Sequence, residues 1–185
     1  MKTNTKLSLI AFMAITVAVT SCKKDKKELP KIDENELFTT IKLKFTDQAN
    51  TSDVKTFIWR DVDGDGVGNP AVIDNIILKP NTNYNMEVSE ILNESATPVQ
   101  NITDEVKEES DEHLLVYKPS LNLLTVDITD KDKNNLQIGL SSIVKTNTAK
   151  NGTLQVILRH QPGVKNGTEA PGSTDFDISF NVKVQ

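Results

Sequence analysis

Three aspartates stand at alternate positions in the stretch WRDVDGDGVGNP, and a glycine follows the third. Asp61, Asp63 and Asp65 match the first, third and fifth positions of a twelve-residue calcium loop, with Gly66 at the sixth. Carboxylate oxygens are the ligands that Ca²⁺ prefers, and a glycine lets the backbone turn sharply enough for them to converge. The spacing therefore predicts a calcium site in this loop.

The end of this loop departs from the full calcium pattern. The twelfth position is Val72 rather than a bidentate glutamate, and no helices are predicted on either side, so the stretch resembles EF-hand-like loops found outside true EF-hands. Asp74, just beyond, can supply the missing carboxylate if the chain folds back. The alternative is a polar hairpin loop, since aspartate and glycine are common turn residues.

A weaker copy of the same spacing lies in TDKDKNN, at Asp130, Asp132 and Asn134. Lysines separate these residues and no glycine follows them, so a hairpin turn is the better interpretation.

The two histidines, His113 and His160, are the second set of candidate metal ligands. Each stands at the end of a predicted strand, and Asp111 and Glu112 adjoin His113. Imidazole nitrogens with carboxylates beside them suit Zn²⁺ or Cu²⁺. A joint site requires the fold to bring both histidines together; the alternative is two unrelated residues at strand ends.

An acidic run precedes His113 and predicts a short exposed helix near residues 103–112. Thr103 can act as its N-cap, acids in the first turn complement the helix dipole, and Ile102 and Val106 lie on one face. The favoured interpretation of the acids is a solvated helix face; the alternative is a patch that gathers cations or docks a partner. The acids are Asp104, Glu105, Glu108, Glu109, Asp111 and Glu112.

The amino terminus predicts export and lipid attachment. Lysines precede an apolar run, Leu7 to Val19, which is too short to span a bilayer but long enough for the core of a signal peptide. The VTSC that follows resembles the lipobox of bacterial lipoproteins, in which the cysteine thiol is acylated and becomes the mature amino terminus. We therefore predict a signal peptide over residues 1–21 and a lipid anchor at Cys22.

Residues 22–35 are charged and poor in apolar side chains, which is typical of a solvated tether. Lys23 follows the cysteine, whereas an aspartate there marks inner-membrane retention in lipoproteins of enteric bacteria. The resemblance therefore implies the outer membrane, on its periplasmic face or at the cell surface. The expected partners are the membrane, through the anchor, and an outer-membrane protein.

Composition narrows the function classes. The net charge is −5 before loss of the signal-peptide lysines, which argues against a nucleic-acid-binding protein. The single cysteine rules out a disulfide framework. The sequence has no recognisable Ser/His/Asp spacing and no glycine-rich phosphate loop, so we expect no enzyme, no catalytic residue and no organic cofactor.

Apolar and polar side chains alternate along the rest of the chain. Clear examples are TTIKLKFT, NYNMEVSEIL, TLQVILRH and FDISFNVKV. This period of two predicts strands with one buried face. We predict that residues 36–185 form one all-β domain, an antiparallel immunoglobulin-like sandwich of about 7–9 strands, with Asn151 and Gly152 at the turn of a hairpin.

Five stretches carry a resemblance to a known family: DVDGDG, LNESATPVQNITDEVKEESDEH, TDKDKNN, GTLQVILRHQPG and GSTDFDISFNVKVQ. They are similar to a family of small lipoproteins from Gram-negative bacteria labelled "type 1 periplasmic binding fold superfamily protein". The resemblance implies an envelope lipoprotein and no particular ligand. The fold in that label consists of two α/β lobes, whereas the short alternating strands here predict an all-β domain.

Two non-enzymatic functions are consistent with these features, and an envelope hydrolase is a third alternative because the absence of a catalytic motif is weak evidence. The first is a non-enzymatic, lipid-anchored binding or structural module at the outer membrane, in which a calcium ion stiffens loop 61–74. The alternative is a lipoprotein that captures a transition metal or a cofactor for an outer-membrane transporter, with His113 and His160 as ligands.

Overall fold

The alternating segments form strands, as the sequence predicts. A computed structural model describes residues 37–61 and 72–185, which belong to one compact unit. Within them the chain forms eleven strands and one helix, α1 (Ile102–Glu108). The strands are β1 (Thr40–Asp47), β2 (Val54–Arg60), β3 (Val72–Ile73), β4 (Ile76–Leu78), β5 (Asn83–Asn93), β6 (Gln100–Asn101), β7 (His113–Pro119), β8 (Leu124–Ile128), β9 (Ser141–Thr146), β10 (Lys150–His160) and β11 (Ser173–Val184).

The described strands make two sheets. The larger has the order β3-β2-β1-β5-β9-β8, with β6 also paired to β5, and the smaller has the order β4-β11-β10-β7. Neighbouring strands are antiparallel except β4 and β11, which are parallel. The predicted all-β sandwich is confirmed, and the strands of three or more residues number nine in the described chain.

The core lies between the two sheets and contains the apolar residues of the alternating pattern. Phe38, which precedes β1, and Phe176 of β11 meet edge to face with ring centroids 5.4 Å apart. Each fully buried aliphatic or aromatic side chain contributes about 1.5–3 kcal/mol relative to an exposed one. The core includes Ile41, Leu43 and Phe45 of β1 and Leu154, Val156 and Leu158 of β10.

Helix α1 begins and ends earlier than the sequence suggests. Its N-cap is Asn101, whose side chain accepts a hydrogen bond from the Thr103 amide at 3.1 Å, so the prediction of Thr103 as the cap is wrong. Thr103 is buried instead and its hydroxyl accepts a hydrogen bond from the Ile91 amide at 2.6 Å. As predicted, Ile102 and Val106 face the core. Among the described residues, no helix combines the length and apolar character needed to cross a membrane.

The predicted hairpin turn at Asn151 and Gly152 is wrong. Both residues lie inside β10, where Gly152 pairs with Val182 of β11. The chain turns at residues 147–149, and this connection leads from the larger sheet to the smaller one. A Cβ at position 152 would lie 2.7 Å from Oγ of Ser120, so any residue other than glycine requires that side chain to shift.

The TDKDKNN segment forms a turn, as predicted, and its second aspartate enters a buried ion pair. Oδ1 of Asp132 accepts hydrogen bonds from the amides of Asn134 and Leu136, at 2.8 and 2.9 Å. Its Oδ2 lies 2.8 Å from Nζ of Lys165, which also donates to the Ser110 carbonyl at 2.7 Å. Because both charged side chains are buried, the pair joins three connecting segments by contacts that water does not screen.

Asp132→Asn should destabilise the fold by about 3–5 kcal/mol, because it leaves the buried Lys165 ammonium without its counter-charge. Urea-induced unfolding measures the change. The matched control is Asp127→Asn, which breaks the exposed pair with Lys145 and should cost about 0–1 kcal/mol. Equal losses in the two variants would show that burial of the Asp132 pair has no energetic consequence.

Candidate metal centre

The two histidines of the chain lie side by side at one end of the smaller sheet. His113 is the first residue of β7 and His160 the last of β10, and the two are directly opposite in the antiparallel ladder. Directly opposed residues share a face, which here is the face of buried Leu115 and Leu158. The imidazole rings stack, with centroids 4.8 Å apart and planes 6° from parallel. The fold therefore meets the condition that a joint histidine site requires.

A β-bulge adds a third group, which sequence reasoning missed. In the ladder between β10 and β11, Leu158 pairs with Phe176 and Arg159 pairs with Thr174, so Asp175 is the extra residue. A bulge redirects a side chain that strict alternation would send to the opposite face. Oδ2 of Asp175 lies 4.0 Å from Nε2 of His113. In the sequence Asp175 is only an aspartate next to Phe176 of a predicted strand, and strict alternation would put its side chain on the exposed face.

The tautomer of His113 follows from its backbone contact. Nδ1 of His113 lies 3.1 Å from the carbonyl oxygen of Glu109. Because a carbonyl only accepts, Nδ1 carries the hydrogen, and the neutral ring presents the lone pair of Nε2 on the side of Asp175. A histidine that donates its other N–H to a carbonyl is oriented as metal-bound histidines usually are.

Burial keeps His113 uncharged. The residue is almost fully buried, and this desolvation lowers its pKa from the ordinary value of 6.5. The hydrogen bond to Glu109 and the charges of Glu105 and Glu112 oppose the shift, while a charge on His160 adds to it. Only a neutral imidazole binds a metal ion, so the lowered pKa keeps Nε2 available at neutral pH.

The carboxylates before β7 form a second, outer group around His160. Oε2 of Glu112 lies 3.7 Å from Nε2 of His160. Potential ligand atoms of Glu109, Glu112 and His160 lie within 4.8 Å of one another, as do those of His113, His160 and Asp175. We call the first set the outer triad and the second the inner triad. Both include His160.

The spacing of the inner triad allows a small divalent ion to bind once the side chains rearrange. Tetrahedral ligands at 2.0–2.2 Å from Zn²⁺ stand about 3.4 Å apart. The separations of up to 4.8 Å can shorten to that distance by side-chain shifts of roughly 1 Å, without a change in strand register. Because the lone pair of an imidazole nitrogen lies in the ring plane, at least one of the two stacked rings must also rotate so that both nitrogens point at the same ion. The three protein groups leave one coordination position for water or an exchanging ligand.

The segment that follows β10 holds the His160 end in place. The amide of Gln161 donates to the Glu112 carbonyl at 2.6 Å, and its Nε2 donates to the Pro171 carbonyl at 2.9 Å. Gly172, at φ +80°, passes so close that a Cβ would lie 2.0 Å from the His160 carbonyl oxygen. The contacts of Gln161 and Gly172 therefore hold two members of the outer triad, Glu112 and His160, in place.

The acidic run divides into two parts. Asp104 and Glu108 point to solvent on α1, as the solvated-face interpretation predicts. Glu109 and Glu112 are partly buried and belong to the outer triad. The helix ends at Glu108 rather than near residue 112 because the Glu109 carbonyl accepts from the Glu112 amide, at 2.8 Å, and from His113. That early end turns the chain toward the histidines.

The predicted calcium loop lies mostly outside the described residues, which omit Asp63 and Asp65. Asp61 is buried at its start. Oδ2 of Asp74 accepts a hydrogen bond from the Ile58 amide at 2.9 Å, so this carboxylate already supports the backbone of β2. The calcium site remains a prediction.

Comparison of the chain with protein-family models, curated proteins and solved structures gave no match. The resemblance to the lipoprotein family therefore remains a prediction, as does lipidation of Cys22, which lies outside the described residues.

The metal-free protein should lose stability as the pH falls below the ordinary histidine pKa of about 6.5. The unfolded chain protonates His113 near that pH, whereas the folded chain, with its lowered pKa, does so only at lower pH. The free energy of unfolding therefore falls across this window, by at most about 1.4 kcal/mol per pH unit for one group. Urea unfolding with a chelator present, between about pH 8 and pH 5, measures the slope.

His113→Gln is the matched variant for this measurement, since glutamine is polar and does not titrate. Its slope should be smaller than that of the wild type in the same window. Identical slopes would contradict the lowered pKa of His113.

Proposed function

We propose that this chain is a non-enzymatic binding module that captures a divalent transition metal, Zn²⁺ or Cu²⁺, at the inner triad. The observation that carries the proposal is the stacked pair His113 and His160 with Asp175 beside it, all three ligand atoms within 4.8 Å of one another. Two strand ends and a bulge that are distant in the sequence bring these side chains together. Core packing alone does not explain this arrangement, because apolar residues at the end of the sheet could be buried at a lower desolvation cost than two histidines and an aspartate.

The types of ligand support the choice of metal. Two imidazole nitrogens and one carboxylate oxygen suit Zn²⁺ and Cu²⁺, whereas Ca²⁺ and Mg²⁺ prefer all-oxygen sites. Neither triad contains a thiolate or thioether, the ligands that favour Cu⁺. The cargo is therefore a divalent ion with an affinity for nitrogen.

Three protein ligands support reversible capture rather than a permanent structural role. Structural zinc sites are usually closed by four protein ligands, whereas the inner triad leaves a position through which an ion can exchange. The same feature occurs in zinc hydrolases, but His113 is 2% exposed, which leaves little room at the ion for an organic substrate. Capture is therefore the function that this geometry supports best.

The proposed location follows from the sequence. A signal peptide over residues 1–21, the acyl anchor at Cys22 and the charged tether to residue 35 would hold the module at the outer membrane. A metal-capture module tethered there would serve an outer-membrane transporter, because the tether keeps the bound ion close to the membrane surface.

Zn²⁺ or Cu²⁺ should raise the melting temperature of the full chain, because an ion that binds only the folded state adds about 2.7 kcal/mol at one hundred times its dissociation constant. His113→Gln and His160→Gln should each remove most of this increment. The measurement is thermal unfolding of each protein with and without the ion, so that every variant is compared with its own metal-free form.

Glu108→Gln is the matched control, since Glu108 is an exposed acid of α1 outside both triads. Its increment should equal that of the wild type. The proposal fails if neither ion stabilises the wild type, or if the histidine variants keep the full increment.

Cys22→Ser should prevent lipid attachment and release the protein from membranes, because serine lacks the thiol that is acylated. Mass spectrometry of the mature amino terminus and fractionation of the cell envelope measure the two effects. An unacylated wild-type protein would refute the lipoprotein assignment without affecting the metal centre.

A further inference from the structure

We infer that the outer triad is an entry position for the metal ion, and that His160 passes the ion from Glu109 and Glu112 inward to His113 and Asp175. This inference rests on the proposed function, since it describes how an ion reaches the inner triad. The observation behind it is that His160 belongs to both triads, each with its ligand atoms within 4.8 Å. In this relay one ion at a time stays on Nε2 of His160, which lies 3.7 Å from Oε2 of Glu112, while its other ligands change.

Solvent exposure falls from the outer triad to the inner one. The side chain of Glu112 is 36% exposed and that of His160 is 12% exposed. The side chain of Asp175 is 14% exposed and that of His113 only 3%. A hydrated ion therefore meets Glu112 before it can reach His113, and it must shed most of its water to move further.

Charge also favours the outer triad as the first position. Asp104 and Asp111 are paired with Lys107 and Lys133, at 3.4 and 2.8 Å. Glu109 and Glu112 place carboxylate oxygens within 4.8 Å of a ring nitrogen of His160. Two carboxylates at a half-exposed position attract a divalent cation more strongly than the single carboxylate of the inner triad.

The chemistry of the ligands makes the inward step favourable. The outer triad offers two carboxylates and one imidazole, whereas the inner triad offers two imidazoles and one carboxylate. Zn²⁺ and Cu²⁺ bind nitrogen-rich sets more tightly than Ca²⁺ or Mg²⁺ do. Ca²⁺ and Mg²⁺ therefore gain little binding free energy by moving inward, so transfer through His160 selects for Zn²⁺ and Cu²⁺.

The transfer is a ligand exchange that requires no other reactant. Bonds from the ion to Glu109 and Glu112 break, bonds to Nε2 of His113 and to Asp175 form, and the bond to His160 is kept. The hydrogen on Nδ1 of His113 stays in its hydrogen bond to the Glu109 carbonyl. No proton or electron leaves the site.

The test follows Zn²⁺ in stopped-flow mixing with the full chain. An indicator dye reports the disappearance of free Zn²⁺, and excess chelator reports its release. Glu112→Gln should slow both association and release by about ten-fold, since it removes a ligand of the entry and exit position. Asp175→Asn should instead speed release by about ten-fold, because it weakens only the inner triad.

Glu108→Gln is again the matched control, since it removes the same charge nearby but no ligand. A general loss of electrostatic attraction would slow association in both glutamate variants and would leave release unchanged. Slower release in Glu112→Gln alone therefore identifies an exit position.

Three results would overturn the relay. The first is unchanged release in Glu112→Gln, the second is faster release in that variant, and the third is binding of two Zn²⁺ ions per chain at equilibrium. With any of these, loss of Zn²⁺ binding in His113→Gln would still support the metal centre. Unaltered binding in both His113→Gln and His160→Gln would instead refute the proposed function itself.

Discussion

Antiparallel pairing of β7 with β10 places His113 directly opposite His160, and the other contacts of the candidate centre depend on that register. A slip of β7 by one residue would send the side chain of His113 to the opposite face of the sheet, away from His160. The register is held by the buried pairs further along the ladder, such as Leu115 with Leu158, because any slip would also expose them. The hydrophobic core therefore fixes the geometry of a polar site at its edge.

Asp175 depends on the same ladder in a different way. The irregularity in β11 adds one residue opposite the end of β10, and this brings a carboxylate beside an imidazole without disturbing the core residue Phe176. Bulges are common next to functional sites because they redirect one side chain at little cost to the rest of the sheet. The buried pair of Asp132 with Lys165 and the contacts of Gln161 then hold the surrounding segments against the sheet end.

Residues of the same type act differently here according to their depth. Within one acidic run, Glu108 is solvated while Glu112 lies against an imidazole, and in the TDKDKNN segment Asp132 binds its own backbone and a buried lysine. Asn151 and Gly152 have the composition of a tight turn, yet they lie within a strand, where Gly152 packs closely against Ser120. Local composition is ambiguous in each case, because the competing structures use the same residues.

The amino-acid sequence determined the fold class, since a period of two in apolar residues has one stable outcome, sheets that bury one face against each other. It also located the helix and both histidines at strand ends, because these follow from local pattern. The meeting of the histidines, the turn of Asp175 toward them and the split of the acidic run were decided by the tertiary structure. Strand pairing joins residues 113, 160 and 175 across long stretches of chain, and no local preference encodes the register that makes them neighbours.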